Sequence, residues 1–218
     1  MAYDAENKLV LSVVPGARTA EQAEAVVADV HKRTGGRVLR LLTSDAYPVY
    51  KDAILHVYGT EVTTTPTGRV SKRMAAEKEP PPELTYATVE KRRRLGRVVE
   101  ILVHLIFGTM KGLVQALKRS RVSRRVNVSF LERYNATDRH KNARKVRSSY
   151  TFSKDWQVHE SMTYFTIYSY NFCWPVRTLA DRDDQGRPRQ RSPAMAAGLT
   201  DHVWTMREWI TFPSVRCA

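Results

Sequence analysis

Apolar runs and helical periodicities alternate along the first part of the chain. Residues 8–14 are a β-branched run closed by Pro15 and Gly16, which predicts a strand followed by a turn. Thr19 and Gln22 then have capping-box spacing, and the apolar residues that follow recur on one helical face up to a Gly-Gly pair. The pattern predicts a strand and then a helix.

The alternation repeats in the next segment. Residues 37–42 predict a second strand, and residues 47–58 predict a second helix with Pro48 in its first turn. Asp45 falls where this strand ends and this helix begins. Ligand groups gather at that edge of α/β sheets, but an Asp at such a junction also serves as a helix N-cap. Both interpretations of Asp45 stay open at this point.

The middle of the chain has a different pattern. Residues 63–73 and 79–82 are polar and proline-rich, which indicates exposed connection. Residues 84–104 predict a β-hairpin with a basic tip at residues 91–96, and residues 111–120 have helical spacing. The hairpin is either a finger that contacts nucleic acid or a strand pair that keeps its cations in solvent.

A further helix is predicted to carry Glu132. Apolar residues recur at intervals of four from Val122 to Phe130, which predicts a buried face. Asn135 follows Glu132 by three residues and Arg139 follows it by seven, so the three share a stripe of the helix. The alternative is an ordinary surface face, whose charge pairs contribute little to stability.

The last third of the chain is aromatic. Ser153 is the predicted N-cap of a helix that runs to about residue 172. The large side chains predicted to pack from this helix are Met162, Phe165, Tyr168 and Phe172. Residues 181–193 predict a polar, arginine-rich loop, and a short tail begins at residues 193–198.

The positive charge is concentrated in one stretch. Residues 91–147 hold 17 Lys or Arg against three acids, a net charge of +14 that equals the formal net charge of the whole chain. A local positive field of this kind favours a polyanion through phosphate contacts and counterion release. A solvated basic face without a partner is the alternative. A membrane partner is not expected, because no long apolar amphipathic helix accompanies the charge.

Cysteine content and hydropathy indicate the expected cellular location. The two cysteines, Cys173 and Cys217, give neither a disulfide framework nor metal-ligand spacing. No segment has the composition of a signal peptide, and no apolar run approaches about 18 residues. We therefore expect a cytoplasmic protein, associated with the nucleoid if its partner is DNA.

The sequence contains five ordered segments of distinctive composition: residues 43–50 (TSDAYPVY), 131–139 (LERYNATDR), 152–154 (FSK), 170–173 (YNFC) and 193–201 (PAMAAGLTD). In this order they resemble bacterial insertion-sequence transposases of the DDE type, especially the IS-one-like group. The resemblance spans nearly the whole chain and implies its fold. The expected architecture is α/β, an RNase H-like (retroviral integrase-like) mixed sheet flanked by helices, with a β-hairpin and helix as an insertion.

The resemblance also implies a division of the chain into four segments. Residues 1–60 would form the first part of the catalytic core, and residues 61–121 the basic insertion. Residues 122–179 would form the helical C-terminal part of the core, which carries Glu132. Residues 180–218 would form the arginine-rich loop and the C-terminal tail.

The site residues follow from the same resemblance. Asp45 matches the second and Glu132 the third acidic ligand of a triad that holds two divalent cations, Mg²⁺ or alternatively Mn²⁺. Two cations bridged by carboxylates stabilise the attacking and departing oxygens of a phosphodiester displacement, and Mg²⁺ suits hard oxygen ligands. The expected DNA contacts are Asn135, Arg139, Arg133, Lys91, Arg92, Arg93, Arg94, Lys118, Arg119, Arg124 and Arg125.

The sequence departs from the family in one respect. In the family the first Asp lies upstream on a first strand, and Asp4 matches a later turn, so Asp4 is not expected to be a ligand. The expected sheet lacks that first strand, which predicts uncovered strand edges and either pairing with another chain or poor solubility. A separate DNA-end-recognition module has no counterpart in the sequence either. Weak or no activity is expected of these residues alone, because two carboxylates hold a two-metal site poorly.

Three functions remain in competition. The first is an insertion-sequence transposase, present as a partial or inactive copy, that cuts and joins DNA at terminal inverted repeats and target sites as a homo-oligomer. The second is a non-catalytic DNA-binding transposase remnant. The third is a basic RNA-binding or ribosome-associated protein, which requires the resemblance to be accidental.

Overall fold

The structure, a computed structural model, describes residues 1–62, 77–146 and 150–213. The chain divides into two compact units: the sheet unit, Gly16–Ser129, and the helical unit, Met1–Pro15 with Phe130–Ala218. The predicted mixed α/β class is confirmed. In the described part of the chain, no helix is long and apolar enough to cross a membrane.

The elements follow one another along the chain in an order that alternates strands and helices. They are β1 (Ala2–Asp4), β2 (Leu9–Ser12), α1 (Ala20–Arg33), β3 (Leu41–Asp45), α2 (Val49–Tyr58), β4 (Thr60–Val62), β5 (Glu77–Glu79), β6 (Thr85–Arg94), β7 (Arg97–Phe107), α3 (Met110–Arg119), α4 (Ser129–Lys141), α5 (Trp156–Cys173), β8 (Asp181–Arg182), β9 (Pro188–Arg189), α6 (Pro193–Ala196) and α7 (Met206–Thr211).

A mixed three-stranded sheet organises the sheet unit. Its order is β3-β6-β7, with β3 parallel to β6 and β6 antiparallel to β7. The strand predicted at residues 37–42 begins later, at Leu41, and continues to Asp45. Its ladder with β6 starts where Leu41 faces Thr85, whose N–H donates to Arg40 O at 3.2 Å. The start of β3 therefore follows from its partner strand, which local sequence does not reveal.

Helices cover both faces of this sheet. Tyr86 and Phe107 belong to a buried cluster that receives Val27 from α1 and Ile54 from α2. The neighbouring residues of β6, including Ala87, point to the opposite face and pack against α3. The predicted helices α1, α2 and α3 are therefore confirmed, and each buries its apolar side on the sheet.

The predicted β-hairpin is also confirmed, with a tighter turn than expected. Leu95 and Gly96 form the two-residue connection, with φ of 50° and 77°. The basic residues placed at the tip belong mostly to β6, whose last residue, Arg94, faces Arg97. The connection predicted at residues 63–73 lies outside the described residues. The short antiparallel pair of β4 and β5 near it was not predicted.

The helix predicted to start near Val122 starts at Ser129 instead. Polar side chains hold the segment before it in a non-helical path. Ser123 Oγ and Asn127 Nδ2 both donate to Arg125 O, at 2.7 and 3.0 Å. Side-chain bonds of this kind offer the backbone an alternative to helix formation. The apolar repeat from Val122 is therefore not a helical face, although Val126 is buried in the sheet unit.

The helical unit has its own core. Val10, Tyr134, Ile167 and Tyr170 pack together, joining the β1-β2 hairpin to α4 and α5. At the turn of this hairpin Asp4 Oδ1 accepts from the backbone N–H of Glu6 at 2.8 Å. Asp4 thus has the turn position that the resemblance implied.

Three expectations for the last third need correction. The N-cap of α5 is Asp155, whose side chain accepts from Val158 N, rather than Ser153. Phe165 is 37% exposed and does not pack as predicted, because the buried side of α5 runs through Ile167. The segment predicted as a tail is packed: Ala194 of α6 is fully buried.

Candidate metal and DNA site

Asp45 lies at the carboxyl end of β3, where its Cα faces Val89 of the parallel strand β6. Its side chain is 52% exposed, and Oδ2 accepts a hydrogen bond from Arg18 Nη2 at 2.6 Å. Asp45 does not cap α2, since the N-cap is Pro48 and makes no side-chain cap bond. Of the two interpretations open from the sequence, the structure does not support the helix cap.

Arg18 is held against Asp45 by a second contact. Its guanidinium stacks on the ring of Tyr47 at 4.1 Å from the centroid, and Tyr47 Oη donates to Arg18 O at 3.0 Å. Sequence reasoning missed Arg18 because nothing local links it to a residue 27 positions away. The ion pair with Arg18 neutralises the charge of Asp45.

Two tyrosines line the protein side of Asp45. Tyr86 Oη and Ser44 Oγ share a hydrogen bond of 2.8 Å. Burial raises the pKa of Tyr50 and of Tyr86, and the charge of Asp45 raises each further. Both phenols are therefore neutral at physiological pH, and they can donate hydrogen bonds but do not compete as anions for a cation.

Glu132 is exposed in the first turn of α4. Asn135 is half-buried and Arg139 exposed, so the predicted stripe of the helix faces solvent along most of its length. Arg133 is exposed as well. The buried side of α4 is formed by other residues, Tyr134 and Asp138.

Asp138 is a buried acid that sequence reasoning did not single out. Its Oδ2 accepts from Lys145 Nζ at 2.8 Å, and the side chains are only 9% and 15% exposed. Breaking a buried pair strands a charge and is strongly destabilising. Asp138 therefore has a structural role within the helical unit.

The predicted cations of the hairpin occupy the end of β6. Arg92 pairs with Glu90 at 3.3 Å and with Glu100 at 3.1 Å, and Arg93 Nη1 donates to Gly96 O at 3.4 Å. Arg92, Arg93 and Glu100 are exposed, and Glu90 and Lys91 are half-exposed. The tip is a positive surface in which Arg92 is partly neutralised.

The cations after α3 have unequal roles. Lys118 and Arg119 lie in its last turn. Arg124 Nη1 donates to the carbonyl oxygens of Leu117 and Lys118, so it caps the C-terminus of α3. Arg125 is exposed. The structure thus gives Arg124 a folding role that competes with its predicted DNA contact.

The predicted site residues are divided between the two units. Asp45 and the cations of the hairpin and α3 belong to the sheet unit, whereas Glu132, Arg133, Asn135 and Arg139 belong to the helical unit. Among the residues that the structure describes, no three His, Cys, Asp or Glu side chains form a group that could hold a metal ion.

A groove of about 560 Å³ in the helical unit contains none of the predicted site residues. It is lined by Arg144 and Lys154 and by the exposed rings of Tyr150 and Phe152. In the sequence, cationic and aromatic residues are interspersed over the segment that lines this groove. Composition alone does not distinguish this segment from the rest of the basic stretch.

Comparisons of the chain with models of protein families, with curated proteins and with solved structures found no match.

Proposed function

We propose that this chain is the RNase H-like catalytic region of an insertion-sequence transposase that acts on DNA. Asp45 and Glu132 are its metal-ligating acids, and the surrounding cations are its DNA contacts. The RNase H-like assignment and the resemblance in five ordered segments are parts of this proposal. The observed mixed sheet with helices on both faces is compatible with it.

The observation that carries the proposal is the position of Asp45. It ends a strand that is parallel to its neighbour, is half-exposed, and caps no helix. The carboxyl edge of parallel strands is where ligands bind in α/β sheets. On the other side, β3 has no strand partner in the described residues, which is the edge where the fold implied by the resemblance has its first strand.

The side chains present suit a magnesium site in their chemistry. Asp45 and Glu132 offer the hard oxygen ligands that Mg²⁺ prefers. Bound Mg²⁺ would stabilise the attacking and departing oxygens of an in-line displacement at phosphorus. The ion pair of Arg18 with Asp45 is exposed, so it is worth about 1 kcal/mol or less and does not prevent metal binding. Once released, Arg18 can pair with a DNA phosphate.

Non-catalytic DNA binding is the second candidate function. Arg18 neutralises Asp45, and the described residues contain no group of three metal-ligating side chains. Because a metal ion can displace Arg18 from this exposed pair, only the second observation favours a remnant that keeps its positive surface and binds DNA without cutting it. The two functions share their cations and differ only in the role of the two carboxylates.

The discriminating experiment is a DNA nicking assay on duplexes that carry the inverted repeats flanking the coding sequence. The transposase proposal predicts slow Mg²⁺-dependent nicking, reduced at least about 100-fold by Asp45→Asn or by Glu132→Gln because each removes a ligand charge. Asp29→Asn is the matched control, since Asp29 is also an Arg-paired carboxylate, bonded to Arg33 at 2.8 Å.

The outcomes separate the candidates. Nicking that survives both substitutions, or that Asp29→Asn reduces equally, contradicts the metal-ligand roles. DNA binding without nicking at any Mg²⁺ concentration supports the non-catalytic remnant. Preference for structured RNA over duplex DNA contradicts both and supports the RNA-binding alternative.

A further inference from the structure

The strand β7 is the outer strand of its sheet. The order β3-β6-β7 leaves one edge of this 11-residue strand without a strand partner in the described residues. Such an edge presents a row of backbone N–H and C=O groups that can pair with another strand.

The side chains of β7 do not protect this edge. Ile101 and Val103 are 59% and 46% exposed, and they share one face because alternate residues of a regular strand point the same way. Between Glu100 and Leu105 the strand contains neither Pro nor Lys, and the register shifts that also limit edge pairing lie outside this stretch. Exposed apolar surface of this kind marks an interaction site.

The sequence of β7 is complementary to itself. Leu102 is the midpoint of Glu100–His104, which lies in the part of β7 whose register with β6 is regular, so an antiparallel copy centred on Leu102 pairs these five residues. In this register Ile101 of each copy faces Val103 of the partner subunit. The exposed apolar stripe is then covered by the same stripe of the other copy.

The charged side of β7 fits the same register. Glu100 faces His104 of the partner subunit, an arrangement of opposite charge when the His is protonated. Within one copy Glu100 already pairs with Arg92 at 3.1 Å, and His104 with Glu90 at 3.3 Å. When two copies pair, acidic and basic side chains therefore continue to alternate from one copy to the other across the sheet.

The positive tips of the two hairpins favour this antiparallel arrangement. Eleven residues at roughly 3.4 Å per residue place the two basic turns about 34 Å apart, beyond the Debye length of about 8 Å at physiological salt. A nucleic acid, by contrast, is drawn to the cations of β6 and gains nothing from Val and Ile on β7. A second copy of this chain is therefore the occupant that the edge fits.

We propose that two copies of this chain pair through β7, antiparallel and centred on Leu102, and form a continuous six-stranded sheet. The interface needs neither metal nor DNA, so it stands independently of the proposed catalytic function. It assigns a surface to the homo-oligomer that the resemblance implies only in general.

Disulfide trapping of the full chain tests the register. With Cys173 and Cys217 replaced by Ser, Leu102→Cys places two thiols at directly opposed positions, whose Cα atoms lie about 4.5–5.5 Å apart in antiparallel pairs, within the range of a disulfide. Mild oxidation is expected to give a covalent dimer on a non-reducing gel. The control is Val114→Cys, because Val114 is 43% exposed and lies in α3, outside the strand proposed to pair. Cross-linking as efficient at Val114, or none at Leu102, overturns the proposal.

Sedimentation velocity without metal or DNA tests the interface itself. Ile101→Lys places two ammonium groups at the interface, one from each copy, and is expected to raise the dimer dissociation constant more than about tenfold. Val114→Lys is expected to leave it unchanged, and circular dichroism verifies that both variants fold. A wild-type chain that is monomeric at every concentration, or equal dissociation constants for the two variants, overturns the proposal.

Discussion

The side chain of Asn171 in α5 makes two hydrogen bonds to the backbone of β2, as a residue of a neighbouring strand would. Its Oδ1 accepts from Val10 N–H at 3.0 Å, and its Nδ2 donates to Val10 O at 2.9 Å, both buried. Asn171→Leu is expected to lower the free energy of unfolding by about 2–4 kcal/mol, because two buried backbone groups lose their partners. Urea denaturation measures the change. Gln157→Leu, an exposed position on the same helix, is the control and is expected to change stability by less than about 0.5 kcal/mol.

Lys141 lies over the ring of Trp174, and burial lowers its pKa to about 8. An unfolded lysine titrates near about 10.4, so between these values the unfolded state binds more protons and the free energy of unfolding rises with pH. Below about pH 8 the ammonium is charged in both states and this contribution to the slope vanishes. Lys141→Met is expected to remove this rise in the free energy of unfolding with pH. The test is to measure the unfolding midpoints of the wild type and of Lys141→Met from pH 7 to pH 10. Midpoints that change with pH in the same way in both proteins would contradict the prediction.

At the residue scale, the sequence predicted the elements that carry the two acids but not the neighbours of these acids. Asp45 ends a strand and Glu132 lies on a helix, as predicted, but that helix starts at Ser129 and places Glu132 in its first turn. Arg18, which bonds Asp45, and Asn171, which bonds Val10, were missed, since their partners are 27 and 161 residues away. Local periodicity carries no information about such pairs.

One residue of the β6-β7 hairpin turn is poorly suited to its backbone conformation. Leu95 adopts φ 50°, a left-handed conformation that costs a branched L-residue roughly 1–2 kcal/mol, and its side chain is 96% exposed. Asn is preferred at this turn position. Leu95→Asn is therefore expected to stabilise the protein by about 0.5–1 kcal/mol in urea unfolding. The reverse sign is expected for Gly96→Ala, since Gly96 has φ 77°.

Two neighbouring arginines after α3 have different expected roles, one in folding as well as DNA contact and the other in DNA contact alone. Arg124 caps that end through the carbonyl oxygens of Leu117 and Lys118, whereas Arg125 is exposed. Arg124→Ala is expected to lower stability by about 1 kcal/mol as well as DNA affinity. Arg125→Ala is expected to lower DNA affinity alone. Thermal unfolding together with fluorescence anisotropy of labelled DNA distinguishes them, and identical behaviour of the two variants would refute the capping role.

At the element scale, helices with local apolar periodicity were predicted well and strand ends were not. α1, α2 and α3 appear within about two residues of their predictions, because a helix forms its hydrogen bonds within its own segment. The start of β3 depends on β6, and residues 122–128 follow the hydrogen bonds of Ser123 and Asn127 instead of a helix. Partner strands and competing polar groups decide these boundaries.

The excess charge is a property of the whole molecule, and it sets the salt dependence of DNA binding. Each phosphate contact contributes about 0.9 to the slope of log affinity against log salt. Arg93→Ala with Arg94→Ala is expected to reduce that slope by about 2. The control pair is Arg182→Ala with Arg187→Ala, in the small β8-β9 hairpin outside the basic stretch. Anisotropy titrations from 50 to 200 mM salt measure both, and an unchanged slope for the first pair contradicts the DNA contact.

At this largest scale the sequence predicted the mixed α/β class, and the structure adds the long-range grouping of the elements. β6 and β7, which lie within the segment 61–121 predicted as an insertion, supply two of the three strands of the main sheet. The N-terminal hairpin packs with the C-terminal helices, through contacts such as Val10 with Ile167. Long-range packing of this kind has no local sequence pattern.

The central proposal is that Asp45 and Glu132 are metal ligands of a DNA-binding protein, and Mg²⁺-dependent DNA binding tests it most directly. Anisotropy titrations at constant ionic strength compare the wild type with Asp45→Asn, Glu132→Gln and the control Asp29→Asn. We predict that Mg²⁺ tightens DNA binding by the wild type and by Asp29→Asn. Without metal, Asp45→Asn and Glu132→Gln should bind DNA more tightly than the wild type, since a carboxylate that repels phosphate is gone, and Mg²⁺ should add nothing. An equal response to Mg²⁺ in all four proteins would contradict the account.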